Sequence, residues 1–329
     1  MVKLRNAHYC NTKLFLIFLV IYGHLIESWI DKSNVLLQQY RWIYFFHMPL
    51  FCFMSGLFVQ TEKDCRVAIR KTFPLYAVLQ IMAVLVGQGE VKLLTPFWYL
   101  WYLLSYCSWL GLAWLWFRFM SGRRKLFVLI LGVILGCFVG YLPFIGRTFS
   151  LSRTLVFFPY FFVGVLMKPS FPWKKYKALG WGALGLSALI MFWKGENISV
   201  SFLYQATAFG EMKNGAICRC MCYLIGGLQS FGLLTVMPAI RFPFSKAGAD
   251  TMPAYLFHLL IVLCLREWEF TWQIYIIITG VFLYLLNILM SWYGNLYGIV
   301  PSERRESRCR AFKKYMKNMR SQYIDSCCP

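Results

Sequence analysis

Apolar residues run along the chain in long blocks separated by short polar, basic-rich connectors. A helix rises about 1.5 Å per residue and the hydrocarbon core of a bilayer is about 30 Å thick, so a span needs roughly 20 mainly apolar residues. Ten blocks reach or approach that length: residues 14–30, 42–59, 73–87, 97–117, 126–142, 154–167, 178–193, 217–236, 252–265 and 272–293. The third, sixth and ninth are short, which calls for tilt, a re-entrant path or interfacial extension. The pattern predicts an all-α, polytopic integral membrane protein with about ten transmembrane helices in one bundle. It divides into a transmembrane domain over 1–300 and a basic cytoplasmic tail over 301–329.

Composition agrees with that pattern. Hydrophobic residues make up 59% of the 329 and charged residues 14%, whereas soluble domains are about half apolar and about a quarter charged. Mean hydropathy is +0.56. The net charge of +21 would suggest nucleic acid for a soluble chain, but the distribution of the charges argues otherwise. With the N-terminus in the cytoplasm, 25 of the 34 Lys and Arg fall in inner segments, as the positive-inside rule requires. The expected location is therefore the plasma membrane with both termini cytoplasmic. The first span lacks a trailing small-residue cleavage site and reads as a permanent helix. The tail, with aromatic and Met residues among its basic ones, reads as a segment held to anionic lipid rather than to nucleic acid.

Ionisable groups inside spans are costly, so each marks a candidate site. No acidic residue lies mid-span, which disfavours a proton-coupled carrier. Histidines do. His24 stands eleven residues after Lys13, about 16 Å along the first helix, and His47 lies about five residues into the second, which enters from the same side. Both sit at similar depth, and antiparallel packing of the two helices would turn them into one cavity. An imidazole near neutral pKa suits removal of a proton from a hydroxyl; the alternative for either is a hydrogen-bonded packing residue. His258, near mid-span in the ninth block, reads equally as packing or pathway. Twelve cysteines are scattered, and the alternate spacing of Cys218, Cys220 and Cys222 cannot converge on one ion in a regular helix. No metal site is expected.

The residues around the two histidines carry a resemblance. Cys10-Asn11-Thr12-Lys13 leading to Tyr22-Gly23-His24, and Phe46-His47-Met48-Pro49-Leu50-Phe51 followed by Ser55-Gly56, resemble the integral-membrane acyltransferase 3 family, in its fucose 4-O-acetylase-like branch. Further similar stretches follow in order along nearly the whole chain: Arg70-Lys71-Thr72-Phe73-Pro74-Leu75-Tyr76, Phe97-Trp98-Tyr99-Leu100, Ser152-Arg153-Thr154 through Phe162-Val163-Gly164, and Tyr255-Leu256-Phe257-His258. The sequence departs from the family pattern at Cys10, where members often carry Asp.

The resemblance implies transfer of an acyl group, usually acetyl from acetyl-CoA, to a hydroxyl of an envelope glycan, exopolysaccharide sugar or lipid-linked precursor. His24 matches the family's essential histidine and Lys13 its basic residue near the inner end of the same helix; His47 is the expected helper. For the polyanionic donor, Arg66, Arg70 and Lys71 in the first inner loop are the candidate cations, against the alternative that they only set topology. Arg153 and Arg41 are candidate donors to an oxyanion or to the substrate. Trp98, with Tyr99 and Trp101, would stack on a sugar or belong to an interfacial belt. The competing expectation is a non-enzymatic transporter or exporter of a glycan precursor or small molecule. Neither the acceptor sugar nor the oligomeric state is legible.

Overall fold

The computed structural model describes residues 7–86, 94–97, 100–120, 124–194, 198–210, 212–240, 248, 251–265 and 267–296. Over these the chain is helical, with no strand. Its helices are α1 (Ala7–Ile26), α2 (Asn34–Leu57), α3 (Glu62–Val86), α4 (Trp101–Phe119), α5 (Lys125–Phe138), α6 (Leu151–Leu166), α7 (Lys177–Lys194), the single turn α8 (Val200–Leu203), α9 (Gly215–Val236), α10 (Met252–Leu265) and α11 (Trp272–Leu296). Each of the ten apolar blocks coincides with one of the long helices.

Four of these helical stretches are long and apolar enough to cross a membrane: Ala7–Trp29, Glu62–Val86, Thr148–Leu166 and Gly215–Val236. The ten-span count goes beyond this. α5 and α10 are shorter apolar helices, and α2 is diluted by Gln38, Gln39, Arg41 and two tyrosines, Tyr40 and Tyr44. Large apolar side chains face outward along α3 (Val78, Ile81, Met82, Leu85) and α7 (Leu186, Leu189, Phe192), as lipid-facing surfaces do and water-facing ones rarely do.

Three helices begin well before their apolar blocks, each for a local polar reason. The first turns of α1 are held by tertiary contacts: the Tyr9 hydroxyl donates to the Pro169 carbonyl at 2.9 Å, and the Asn11 amide donates to the Pro238 and Ile240 carbonyls, each at 2.9 Å. α2 starts at a Ser33 cap whose hydroxyl accepts from the Leu36 N–H. α3 starts on Glu62 and Asp64, acids at the positive end of the helix dipole.

α1 is the central helix, with Leu16, Ile17, Ile21, Leu25 and Ile26 buried against α2, α10 and α11. α2 crosses α6 so closely that glycine is required on both sides. A Cβ on Gly56 would stand 2.0 Å from the Phe161 carbonyl oxygen, and one on Gly164 would stand 2.2 Å from that of Phe53. Small residues permit such backbone approach between membrane helices. The crossing fixes α1, α2 and α6 around one interior space.

Candidate active site

That space is a cavity of about 620 Å³, within the range of small-molecule sites. Its lining runs from Lys13 past His24 to Glu27 on α1 and its following turn. From there it continues to Arg147 and Arg153 at the start of α6, to Tyr204 after α8, and to Tyr255 and His258 on α10. Lys13 and His24 are separated by about 16 Å of helix, so the cavity is elongated along α1, with a Lys13 end and an Arg153 end.

At the centre His24 Nδ1 lies 3.0 Å from Glu27 Oε2. The other carboxylate oxygen accepts from the Tyr204 hydroxyl at 2.8 Å, and the Tyr204 and Tyr40 hydroxyls are 2.8 Å apart. Burial, together with the Glu27 carboxylate, pushes the Tyr204 phenol upward, keeping it a proton donor toward that carboxylate. An ionised carboxylate only accepts, so in this contact His24 Nδ1 is the donor.

The cavity holds two more imidazoles. His47 Nδ1 donates to the Ile43 carbonyl at 2.9 Å, and His258 Nδ1 donates to the Tyr255 carbonyl. The His258 ring stacks on His24 with centroids 5.4 Å apart, and the Tyr44 ring makes edge contacts with both His24, at 6.5 Å, and His47, at 4.6 Å. In all three histidines Nδ1 is engaged by an acceptor. Among the described contacts the acceptor at His24 is a carboxylate, and a carboxylate stabilises the imidazolium that forms when a base takes a proton; a carbonyl does so far less.

At the Arg153 end, Arg153 Nε donates to the Tyr204 carbonyl at 2.9 Å and its guanidinium lies 4.6 Å from the Trp101 ring centre. At the Lys13 end, the Lys13 ammonium sits over Phe58, 5.5 Å from the ring centre.

The structure therefore brings Lys13, His24, His47 and Arg153 to one cavity, and leaves four expected residues out of its lining. Arg41 lies on α2 but is not among the lining residues. Arg66 pairs with Glu62 at 3.2 Å and is exposed, as are Arg70 and Lys71 on the same helix. Glu62 lies four positions after Phe58, at most about 14 Å of chain, so α3 starts near the Lys13 end while its cations stay out of the cavity lining. Trp98 and Tyr99, and the tail 301–329, lie outside the described residues; Trp101 takes the aromatic place at Arg153.

Glu27, Tyr204, Arg147 and the stacking of His258 were not anticipated. Glu27 was legible: a residue three positions after His24 lies on the same helix face. It stands at the end of the span rather than in its middle. Tyr204 carried no local signal, because it reaches Glu27 across 177 residues of chain.

Comparison of the chain with protein-family models, with curated proteins and with solved structures finds no match. The likeness to the acyltransferase 3 family therefore rests on the motifs quoted above.

Proposed function

We propose that the protein is a membrane O-acyltransferase that moves an acetyl group from acetyl-CoA to a hydroxyl of a cell-envelope or exopolysaccharide sugar. In this reading about ten helices cross the plasma membrane, both termini are cytoplasmic, and the Lys13 end of the cavity faces the cytosol. The observation that carries it is the Glu27 carboxylate 3.0 Å from His24 Nδ1. A structural histidine is satisfied by any acceptor, whereas a general base gains from a partner that stabilises its protonated form.

The chemistry follows from that pairing. The acceptor hydroxyl oxygen attacks the thioester carbonyl carbon while His24 Nε2 takes the hydroxyl proton. The carbon–sulfur bond then breaks, and the proton held on Nε2 passes to the leaving sulfur. The products are an acetyl ester and the free coenzyme thiol, with His24 neutral again. His47, whose Nε2 faces the same cavity, assists in holding the hydroxyl. Donor phosphates are held by Lys13 inside the cavity and by Arg66, Arg70 and Lys71 beside it, and the acceptor is held by Arg153 and Trp101.

The test is acetyl transfer by the full-length protein in lipid nanodiscs, with labelled acetyl-CoA and surface polysaccharide from cells that produce the protein, read as base-labile acetyl ester. His24→Ala should abolish ester formation while the protein still inserts and folds. Unchanged acetylation in that variant rejects the assignment. An exporter built on the same helices requires no carboxylate behind an imidazole, and Glu27→Gln would leave its transport intact.

A further inference from the structure

The Arg153 end of the cavity carries positive charge for which the proposed reaction supplies no counter-charge. Lys13, Arg147 and Arg153 line the cavity, and among the described residues Glu27 is the one carboxylate in its lining. Glu27 is committed to His24 and Tyr204. Among the described residues neither Arg147 nor Arg153 forms an ion pair. Arg153 is half-buried, and a guanidinium in a partly enclosed space is costly without a counter-charge.

The local backbone adds to the positive field. The sixteen-residue helix α6 begins at Leu151, between the two arginines, and the Ser150 side chain makes no cap hydrogen bond. The Leu151 and Ser152 N–H groups donate to the Thr148 and Gly146 carbonyls, so the helix contributes at this end the positive end of its dipole, which favours an anion. Phe149 and Ser150 both hold left-handed backbone, at φ 50° and 55°, a region that residues with a Cβ rarely occupy. That turn is pinned from outside: the Phe149 N–H donates to the Leu94 carbonyl at 2.8 Å, and the Ser152 hydroxyl donates to the Gln205 carbonyl at 2.7 Å. The result is a short strained turn that carries Arg147 and Arg153 to the same end of the cavity, with the Trp101 ring under Arg153.

We propose that Arg147 and Arg153 bind an anionic group, carboxylate or phosphate, of the acceptor, so that the acceptor glycan is acidic. The inference rests on the acyltransferase reading for the word acceptor, and it follows from the order of groups along the cavity. A donor entering from the Lys13 end keeps its phosphates on that side of His24. The arginines lie beyond His24, so they serve the other substrate. The planar guanidinium with its paired N–H groups matches carboxylate and phosphate oxygens, and Trp101 offers a stacking face for the sugar that carries them.

The experiment measures binding to the full-length protein in nanodiscs with four probes: coenzyme A, a glucuronate-containing disaccharide, its neutral glucose counterpart, and inorganic pyrophosphate. At least one anion should bind about tenfold tighter than the neutral disaccharide, and Arg147→Gln should remove that advantage, as loss of a charged hydrogen bond predicts. Arg147 is exposed, so its substitution leaves packing intact. Arg153→Gln should do the same, with Arg153→Lys retaining part of the preference. A uronate preference assigns the anion to the sugar, and a pyrophosphate preference to a lipid-linked precursor. Lys13→Gln should weaken coenzyme A and leave the anion preference unchanged. Equal binding of neutral and anionic probes overturns the proposal, as does loss of coenzyme A affinity in Arg147→Gln, which would give the arginines to the donor. If coenzyme A does not bind the unsubstituted protein while an arginine-dependent anion preference persists, the acyltransferase reading falls and the anion site stands.

Discussion

The Tyr204 hydroxyl donates to Glu27 at 2.8 Å, joining the loop after α8 to the end of α1 across 177 residues of chain. Through Glu27 the bond reaches His24, so the orientation of the cavity imidazole depends on a residue that does not touch it. The same loop is held at the neighbouring carbonyl by Arg153. The site is thus assembled by one segment that closes over both its base and its cationic end.

Removing the charge behind His24 should matter more than removing the hydrogen bond behind the charge. Glu27→Gln keeps the side-chain shape, and kcat for acetyl transfer should fall by about 10² to 10⁴, the range of general-base assistance. Tyr204→Phe leaves the carboxylate in place and should cost about tenfold. Equal effects of the two substitutions in a steady-state acetylation assay would contradict the relay.

The three cavity histidines should separate in the same assay. His24→Ala should eliminate transfer, whereas His47→Ala and His258→Ala should retain measurable kcat, because their Nδ1 partners are carbonyls rather than a carboxylate. His258→Phe should do better than His258→Ala, since an aromatic ring preserves the stack on His24. The kcat ranking of the four variants decides the matter.

The crossing of α2 and α6 should tolerate no added atom. In Gly164→Ala the new methyl meets the Phe53 carbonyl oxygen, a backbone atom that cannot rotate away. Overpacking of this kind costs about 1–3 kcal/mol. Thermal unfolding in detergent should show a Tm several degrees lower. Gly182→Ala, where a Cβ meets nothing within 4 Å, should be neutral or slightly stabilising, because alanine is the better helix former.

The exposed α3 cations should act on donor binding alone. Arg70→Ala with Lys71→Ala should raise KM for acetyl-CoA modestly and make it less salt-sensitive, since exposed charges are screened over about 10 Å at 0.1 M salt. Lys13→Ala, from inside the cavity, should raise it more. A larger effect from the α3 pair would put the donor's phosphates outside the cavity altogether.

The apolar blocks located every long helix, because a buried or lipid-facing helix satisfies its own backbone hydrogen bonds and needs only a sufficient run of apolar side chains. Their starts were misjudged wherever polar residues such as Tyr9, Asn11 and Ser33 are helical through capping or distant carbonyls, information that hydropathy does not carry. His24 and His47 are both in the cavity lining, although α2 begins at Asn34, so His47 lies thirteen residues into its helix rather than the expected five. The donor cations were chosen by charge density, which selected exposed positions on α3; Lys13 lines the cavity.

What the sequence alone determined is local: helical class, helix positions, and the His24 and Lys13 spacing along one helix. It also held the Glu27 position three residues past the histidine, although that was read only with the structure in view. Tertiary structure alone decided that His258 stacks on His24 and that Tyr204 reaches Glu27. It likewise decided that Tyr204, Arg147 and Arg153 close the far end. The division has a physical cause: helices form from interactions within a few residues, whereas a cavity is the space left when helices distant in the chain pack at angles their side chains jointly set.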